Sequence, residues 1–320
     1  MIAGPHYPAK VILFGEYAVL LGSSSLGIPY RDFSACLRKP GKVNKFQGPQ
    51  EKESNKEIDR LFYHLHANRS RFAGHLDLAR LSQDIGLGLY LSSTIPMHSG
   101  LGSSGALSAA LFGSYGSFVH HTYTRLMQIL GEIESFFHGT SSGFDPLLSF
   151  LNRPLRRNGS GGTEIHTWSS DELQNHDIFL VDSGIRSSTR DMVKDFLAIH
   201  FPGGRLSHYG EMLKMVTDQC IVAFTTNNLR FKENLSELSR LQLTGMEYMI
   251  PDPIKELWET GLHEGAFTMK LCGSGGGGQY LLFMHHREKA EQILSHVSLK
   301  SISHDNYVDQ SVESHSTHFF

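Results

Sequence analysis

A chain of 320 residues is longer than one small domain requires, and the ordinary size of an independent core predicts two domains. Hydrophobic residues at 40% and charged residues at 19% lie near globular averages, which excludes a disordered, collagen-like or coiled-coil chain. The 29 basic and 32 acidic side chains give a formal net charge of -3, which argues against a broad nucleic-acid-binding surface.

Three cysteines, Cys36, Cys220 and Cys272, are odd in number and far apart, a usage that fits a reducing compartment better than a disulfide framework. The opening MIAGPHYPAK lacks the basic region and apolar stretch of a secretory signal, and no run approaches the roughly 20 apolar residues of a membrane span. A cytoplasmic protein without membrane contact is expected. The 19 histidines are scattered, and neither His120-His121 nor His285-His286 has a metal-binding spacing such as H-E-x-x-H.

In chain order, Lys10 to Leu21 (KVILFGEYAVLL) is rich in β-branched and aromatic residues and predicts a strand that bends at Gly15. Residues 38–57 lack apolar periodicity and predict a loop. Ile85, Leu87, Leu89 and Leu91 alternate with Gly86, Gly88, Tyr90 and Ser92, which predicts a strand running toward Pro96. From Ser103 the small residues SSGALSAALFGSYGS predict a closely packed helix, starting where Ser103 or Ser104 can cap free amides. A further helix from about Thr124 carries Leu126, Ile129, Leu130, Ile133 and Phe137 at helical spacing and ends at His138-Gly139. Residues 153–162 predict a loop and 177–184 (DIFLVDSG) a strand, after which the pattern turns helical around 189–200, 207–228, 231–244 and 253–263. The two domains are therefore drawn as 1–185 and 186–320. Two apolar strands, AFTMKLC and QYLLFM, flank the glycine run at 273–278, and the polar tail after Lys300 is expected to be loosely held.

The loop SGLGSSGA, 99–106, is the strongest single signal of chemistry: Gly100, Gly102 and Gly105 let the backbone approach a ligand where a helix presents unpaired amides, a place that stabilises anions. No G-x-x-x-x-G-K-S/T is present, so this is not the common NTPase loop. Glu134 falls on the packed face of its helix, where a carboxylate requires a partner, either a hidden ion pair or a cation; Glu132 projects away, as a solvated acid does. Asp145, between Phe144 and Pro146, is either a turn aspartate or a positioned base. Residues 139–143 spell the G-x-S-x-G of a hydrolase nucleophile elbow, but a helix, not a strand, precedes them. Residues 273–278 satisfy G-x-G-x-x-G, but a strand follows, so close backbone approach to another loop or to phosphate is expected rather than a dinucleotide fold.

Taken in order, PAKVILFGEYAV (8–19), PMHSGLGSSGA (96–106) and KLCGSGGGG (270–278) resemble the three signature motifs of the GHMP kinase superfamily, and ESFFHGTSSGFDP (134–146) resembles the catalytic segment of bacterial mevalonate kinase-like proteins. The resemblance implies an α+β, two-domain fold, with an N-terminal domain like the second domain of ribosomal protein S5 and a ferredoxin-like C-terminal domain. It implies ATP and magnesium as cofactors, a mevalonate-like small-molecule alcohol as substrate, and a possible homodimer. By position, the stretch Ser99, Gly100, Leu101, Gly102, Ser103, Ser104, Gly105 and Ala106 holds the triphosphate, and Ser104 with Glu134 serves the metal. Lys10 and Asp145 face the acceptor hydroxyl, while Glu16, Tyr17, Thr189 and Gly275 are assigned to the acceptor. Departures are Tyr17, where the family usually has histidine, Ser187, where it has arginine, and His98, where it commonly has glycine.

Overall fold

The computed structural model describes residues 2–40, 48–97, 99–117, 121–168, 176–186 and 189–302. In chain order the first sheet opens with β1 (Ile2–Ala3), β2 (Tyr7–Phe14) and the long β3 (Ser25–Lys39). All eight residues of β2 are buried, because the strand lies between two cores. Ala9, Val11 and Leu13 enter one core and Ile12 the other, as the period-two alternation of a strand requires, and a register shift between Pro8 and Ala9 places Tyr7 in the second core as well. The strand does not bend through Gly15 as expected. It stops there, at φ 105°, and a short 3-10 helix, Ala18–Leu21, follows.

Helix α1 (Pro49–Ala67) begins inside the stretch expected to be loop. Proline at its first turn starts it, its first two turns are polar, and only Ile58, Leu61 and Leu65 are buried, so periodicity becomes visible late. After α2 (Arg69–Phe72) comes α3 (Leu78–Gly86), capped by the Asp77 carboxylate, and then β4 (Tyr90–Ser93). The apparent alternation from Ile85 to Leu91 is two elements read across a break: Ile85 is helical, Leu87 is exposed, and Gly88 turns the chain at φ 94°.

Helix α4 (Ser103–Tyr115) is buried nearly all round. Its small residues bring it close to β2; a methyl group at Gly113 would fall 1.7 Å from the Tyr7 hydroxyl. Helix α5 (Tyr123–His138) is capped by Thr122, and after a turn at 139–143 α6 (Phe144–Leu151) takes in Asp145 and Pro146. Strand β5 (Leu155–Arg157) lies within the 153–162 stretch expected to be loop and forms a hairpin with β6 (Thr163–Ile165) just beyond it. Strand β3 is the spine of this sheet and pairs antiparallel with β1, β2, β4 and β5.

The second sheet holds β7 (Asp177–Asp182), followed by α7 (Thr189–His200), α8 (His208–Thr225), α9 (Phe231–Gly245) and α10 (Asp252–Glu264). Then come β8 (Phe267–Leu271), β9 (Gln279–Met284), α11 (Arg287–Ile293) and β10 (Leu299–Ser301), and the sheet order is β10-β7-β9-β8, all antiparallel. Strands β7 to β9 and helices α7 to α10 match the expected strands and helices to within a few residues, whereas α11 and β10 were not expected. The expected division at 185 does not coincide with the change of sheet: β7 already belongs to the second sheet, so the chain passes over between β6 and β7. One core, with Phe14 packed on Phe224, Phe231 and Phe283, spans both halves, and a second lies between the first sheet and α1, α3, α4, α5 and α6. Among the described residues no helix is long and apolar enough to cross a membrane. The tail beyond 302, Ser187 and His98 lie outside the described residues.

Candidate active site

Strand β2 carries Lys10 on the face opposite Ala9 and Val11, and its backbone N–H donates to Leu101 O at 3.0 Å, which docks the glycine loop on the strand edge. The loop is fixed from the other half as well, because Gln279 N–H donates to Ser99 O at 3.0 Å. Ser99 Oγ donates to Pro96 O at 2.7 Å, and the Leu101 side chain is sunk in the shared core. Gly100 and Gly102 take φ of 79° and 78°, a region open to glycine at little cost. A methyl at Gly102 would meet Lys10 Cγ at 2.7 Å, and one at Gly105 would meet the Asp145 backbone at 3.2 Å. The loop therefore lies directly against both residues.

Neither Ser103 nor Ser104 is the N-cap of α4; that position is Gly102, which brings no side-chain cap, and among the described residues no side-chain bond to the first-turn amides is seen. Those amides and the positive end of the helix dipole are what an anionic phosphate chain needs. The Ser104 hydroxyl instead donates to Glu134 Oε1 at 2.9 Å and lies 3.0 Å from His138 Nε2. The other Glu134 oxygen accepts the Ser141 hydroxyl at 2.5 Å, and Ser141 Oγ in turn accepts the Gly143 N–H at 3.0 Å. Glu134 is 5% exposed, so its packed-face reading holds, whereas Glu132 is half-buried rather than fully solvated. Burial first, then the nearby Asp145 charge, pushes Glu134 up to about 7, against the pull of the two hydroxyls and Lys10.

Asp145 sits in the first turn of α6, and its Oδ2 is 2.8 Å from Lys10 Nζ. Burial pulls the Lys10 ammonium down, but the charge and hydrogen bond of Asp145 outweigh it, and the net direction is upward, so Lys10 stays cationic. Two carboxylates thus face one lysine in a largely desolvated site. That deficit of positive charge, with the Ser104 and Glu134 oxygens as hard donors, fits a divalent cation of the magnesium kind. The uncapped helix end and the glycine cradle fit a triphosphate.

Of the residues assigned to the acceptor, Glu16 is buried and its Oε1 is 2.5 Å from Nζ of the fully buried Lys270 on β8. Its Oε2 has no hydrogen-bond partner among the described residues. Burial, outweighing the Lys270 charge, holds Glu16 above the usual carboxylate range. The Tyr17 hydroxyl donates to Ser274 O at 2.5 Å. Gly275 has φ 72° and is packed against Met249, where a methyl would come within 2.8 Å of Cβ. Thr189 begins α7; its side chain lies outside the described residues.

Sequence reasoning passed over His138 and Lys270, and noted Ser141 only within the elbow pattern. A lysine inside an apolar strand was the available signal for Lys270. The elbow context is half present, since α6 follows, but α5 precedes and the Ser141 proton goes to Glu134 rather than to a histidine. Cys272, whose field reaches Lys10 and Asp145, is 1% exposed, and burial pushes its thiol up to about 12, which leaves it a neutral wall of the site. The glycine run behaves as expected: a methyl at Gly273 would stand 3.3 Å from Gly100 Cα, so the two glycine loops are in backbone contact.

The model of the GHMP kinases N terminal domain matches residues 70–153, which include the glycine loop, Glu134 and Asp145. The mevalonate kinase of Pyrococcus horikoshii is 27% identical over 163 residues, 44% of this chain and 47% of that protein, so the alignment spans about half the length of the relative. The structure resembles the Methanococcus jannaschii mevalonate kinase (TM-score 0.63, 16% identity, 94% of this chain and 97% of that one). It resembles equally the phosphomevalonate kinase of Streptococcus pneumoniae in complex with phosphomevalonate and AMPPNP (TM-score 0.63, 13% identity, 95% and 99%). Residues 70–153 thus carry the likeness to the GHMP kinases N terminal domain, and the chain shares the fold of these kinases over most of its length.

Proposed function

We propose that this protein is an ATP-dependent small-molecule kinase that phosphorylates the primary hydroxyl of mevalonate, a step toward isoprenoid precursors. The observation that carries the reading is the seating of a glycine loop and an uncapped helix terminus directly on the Lys10–Asp145 ion pair. Phosphoryl transfer asks for little covalent chemistry and much positioning and charge neutralisation. In this reading the amides of 100–106 bind the phosphate chain, and Ser104 with Glu134 would hold magnesium, which when bound neutralises charge on the transferring group. Asp145 accepts or orients the proton of the acceptor hydroxyl, and Lys10 stabilises the alkoxide that develops.

Charge supports the choice of acceptor: among the described residues the two buried lysines at the site are both engaged, Lys10 by Asp145 and Lys270 by Glu16, which favours the acceptor of lower negative charge, mevalonate over phosphomevalonate. A sugar acceptor and a non-catalytic nucleotide sensor on the same scaffold are separated in one assay: ADP release with mevalonate, phosphomevalonate, homoserine and several sugars. Turnover of another alcohol but not mevalonate overturns the acceptor assignment, and no turnover with any of them overturns the kinase reading. Asp145→Asn keeps the shape of the carboxylate and is expected to lower turnover by about two to four orders of magnitude with ATP binding retained. Unchanged turnover would remove Asp145 from the chemistry.

A further inference from the structure

Glu16, Tyr17 and Ala18 form a three-residue turn in which the Ala18 N–H donates to Glu16 O. Tyr17 at its centre has φ 50° and ψ -46°, a positive-φ γ-turn that is rare and strained, and more so for a bulky side chain. Such a conformation is costly and persists only where its surroundings hold it. What holds it here is on both sides of the turn. The Glu16 carboxylate reaches Lys270 on β8, and the Tyr17 hydroxyl reaches Ser274 O in the glycine run that follows β8. The Tyr17 ring is 5% exposed and packs on Phe196 of α7 at a centroid distance of 4.8 Å.

The glycine run has little of its own to keep its shape. Gly275, Gly276, Gly277 and Gly278 all have positive φ, a conformation with no side chains to lock it and a large entropy to lose. Among its fixed points are the bonds Gly276 N–H to Met249 O, Gly278 N–H to Ile185 O and Ser183 N–H to Gly278 O, and the Tyr17 hydroxyl on Ser274 O. The last lies next to Gly273, whose backbone touches Gly100 of the phosphate-facing loop. We infer that Tyr17 is a positioning residue that latches the glycine run at Ser274 and so sets the nucleotide loop, rather than a contact for the acceptor. This rests on the kinase reading for its consequence in catalysis, but the latch itself is a property of the fold.

Tyr17→Phe removes the hydroxyl and keeps the ring on Phe196. The result expected is faster amide hydrogen exchange in the peptides covering 273–278 and 99–102, with KM for ATP raised about five- to tenfold, the effect of one lost hydrogen bond. KM for the acceptor and kcat are expected to stay within about twofold. A raised acceptor KM with ATP KM unchanged overturns the inference and returns Tyr17 to the acceptor. A loss of active fraction without a change in either KM makes the residue merely structural and also overturns it, as does unaltered exchange in both loops. Should Tyr17→Phe fail to fold, Phe196→Leu loosens the same latch from the ring side, and the same two peptides and the same KM are read. Exchange is measured without substrate, so an unsubstituted protein that fails to bind ATP defeats the kinase reading while the exchange comparison still decides the latch.

Discussion

Lys10, Ser104, Glu134 and Asp145 converge although up to 135 positions separate them in the chain, because β2, α4, α5 and α6 each present one of them to the same small volume. A different residue gives a clean readout of how burial links to pH. His285 is half-buried with Nε2 2.8 Å from Thr268 Oγ1, and burial first, then the charges of Lys232, His286 and His176, brings it down to about 4. An unfolded histidine titrates near 6.5. The unfolded chain therefore takes up a proton between pH 6.5 and 4 that the native state refuses; the stabilisation is whole above pH 6.5 and is lost as pH falls. With the solvent-facing part of the ring screened, the loss is about 1–2 kcal/mol. Urea unfolding at pH 7.5 and pH 5 is expected to show His285→Asn with a smaller acid penalty than the unsubstituted protein. His75, His176 and His200 are displaced in the same direction by burial and add to the remaining slope. At this scale the sequence was informative where motifs fixed the register: it singled out the four polar groups that lie together. It did not show that Tyr17 and Glu16 turn toward Ser274 and Lys270, since such bonds cross more than 250 positions and leave no local pattern.

Helix α5 and the turn before α6 are held at backbone contact distance: a methyl at Gly131 would meet Gly143 N at 3.0 Å and Ser141 O at 3.1 Å. Ser141 and Asp145 belong to that turn and the helix it starts. Gly131→Ala is expected to move the turn by a few tenths of an ångström, to lower kcat by about tenfold through misplacement of Asp145, and to leave KM for the acceptor nearly unchanged. Steady-state kinetics and a thermal melt check it; a drop in Tm with kcat intact would show that the turn recovers its place. The elements themselves were unevenly legible. The helices from 189 onward follow amphipathic spacing and were readable within a few residues. The start of α1 was not, because its first two turns are solvated and carry no periodic signal, and β4 was lengthened because apolar residues of α3 fell into false alternation across Gly86 and Gly88.

Across the whole molecule the two sheets share a core, and β7 contributes to the second sheet before the helical half begins. A fragment ending at 185 keeps β7 without β9 and β10, its neighbours, and bares the face of β2 that meets Phe224, Phe231 and Phe283. Expressed alone, residues 1–185 are expected to bind a hydrophobic dye and to lack near-ultraviolet circular dichroism. A sharp, cooperative melt of this fragment would contradict the shared core. Composition suggested two halves and could not show this, since the residues of a common core read as ordinary apolar positions of whichever segment carries them.

Strand β2, sealed on both faces, makes Lys10 the least adjustable part of the machine. A change of volume along that seam would cost the protein its shape first, whereas the exposed margin around it is free to vary without that penalty.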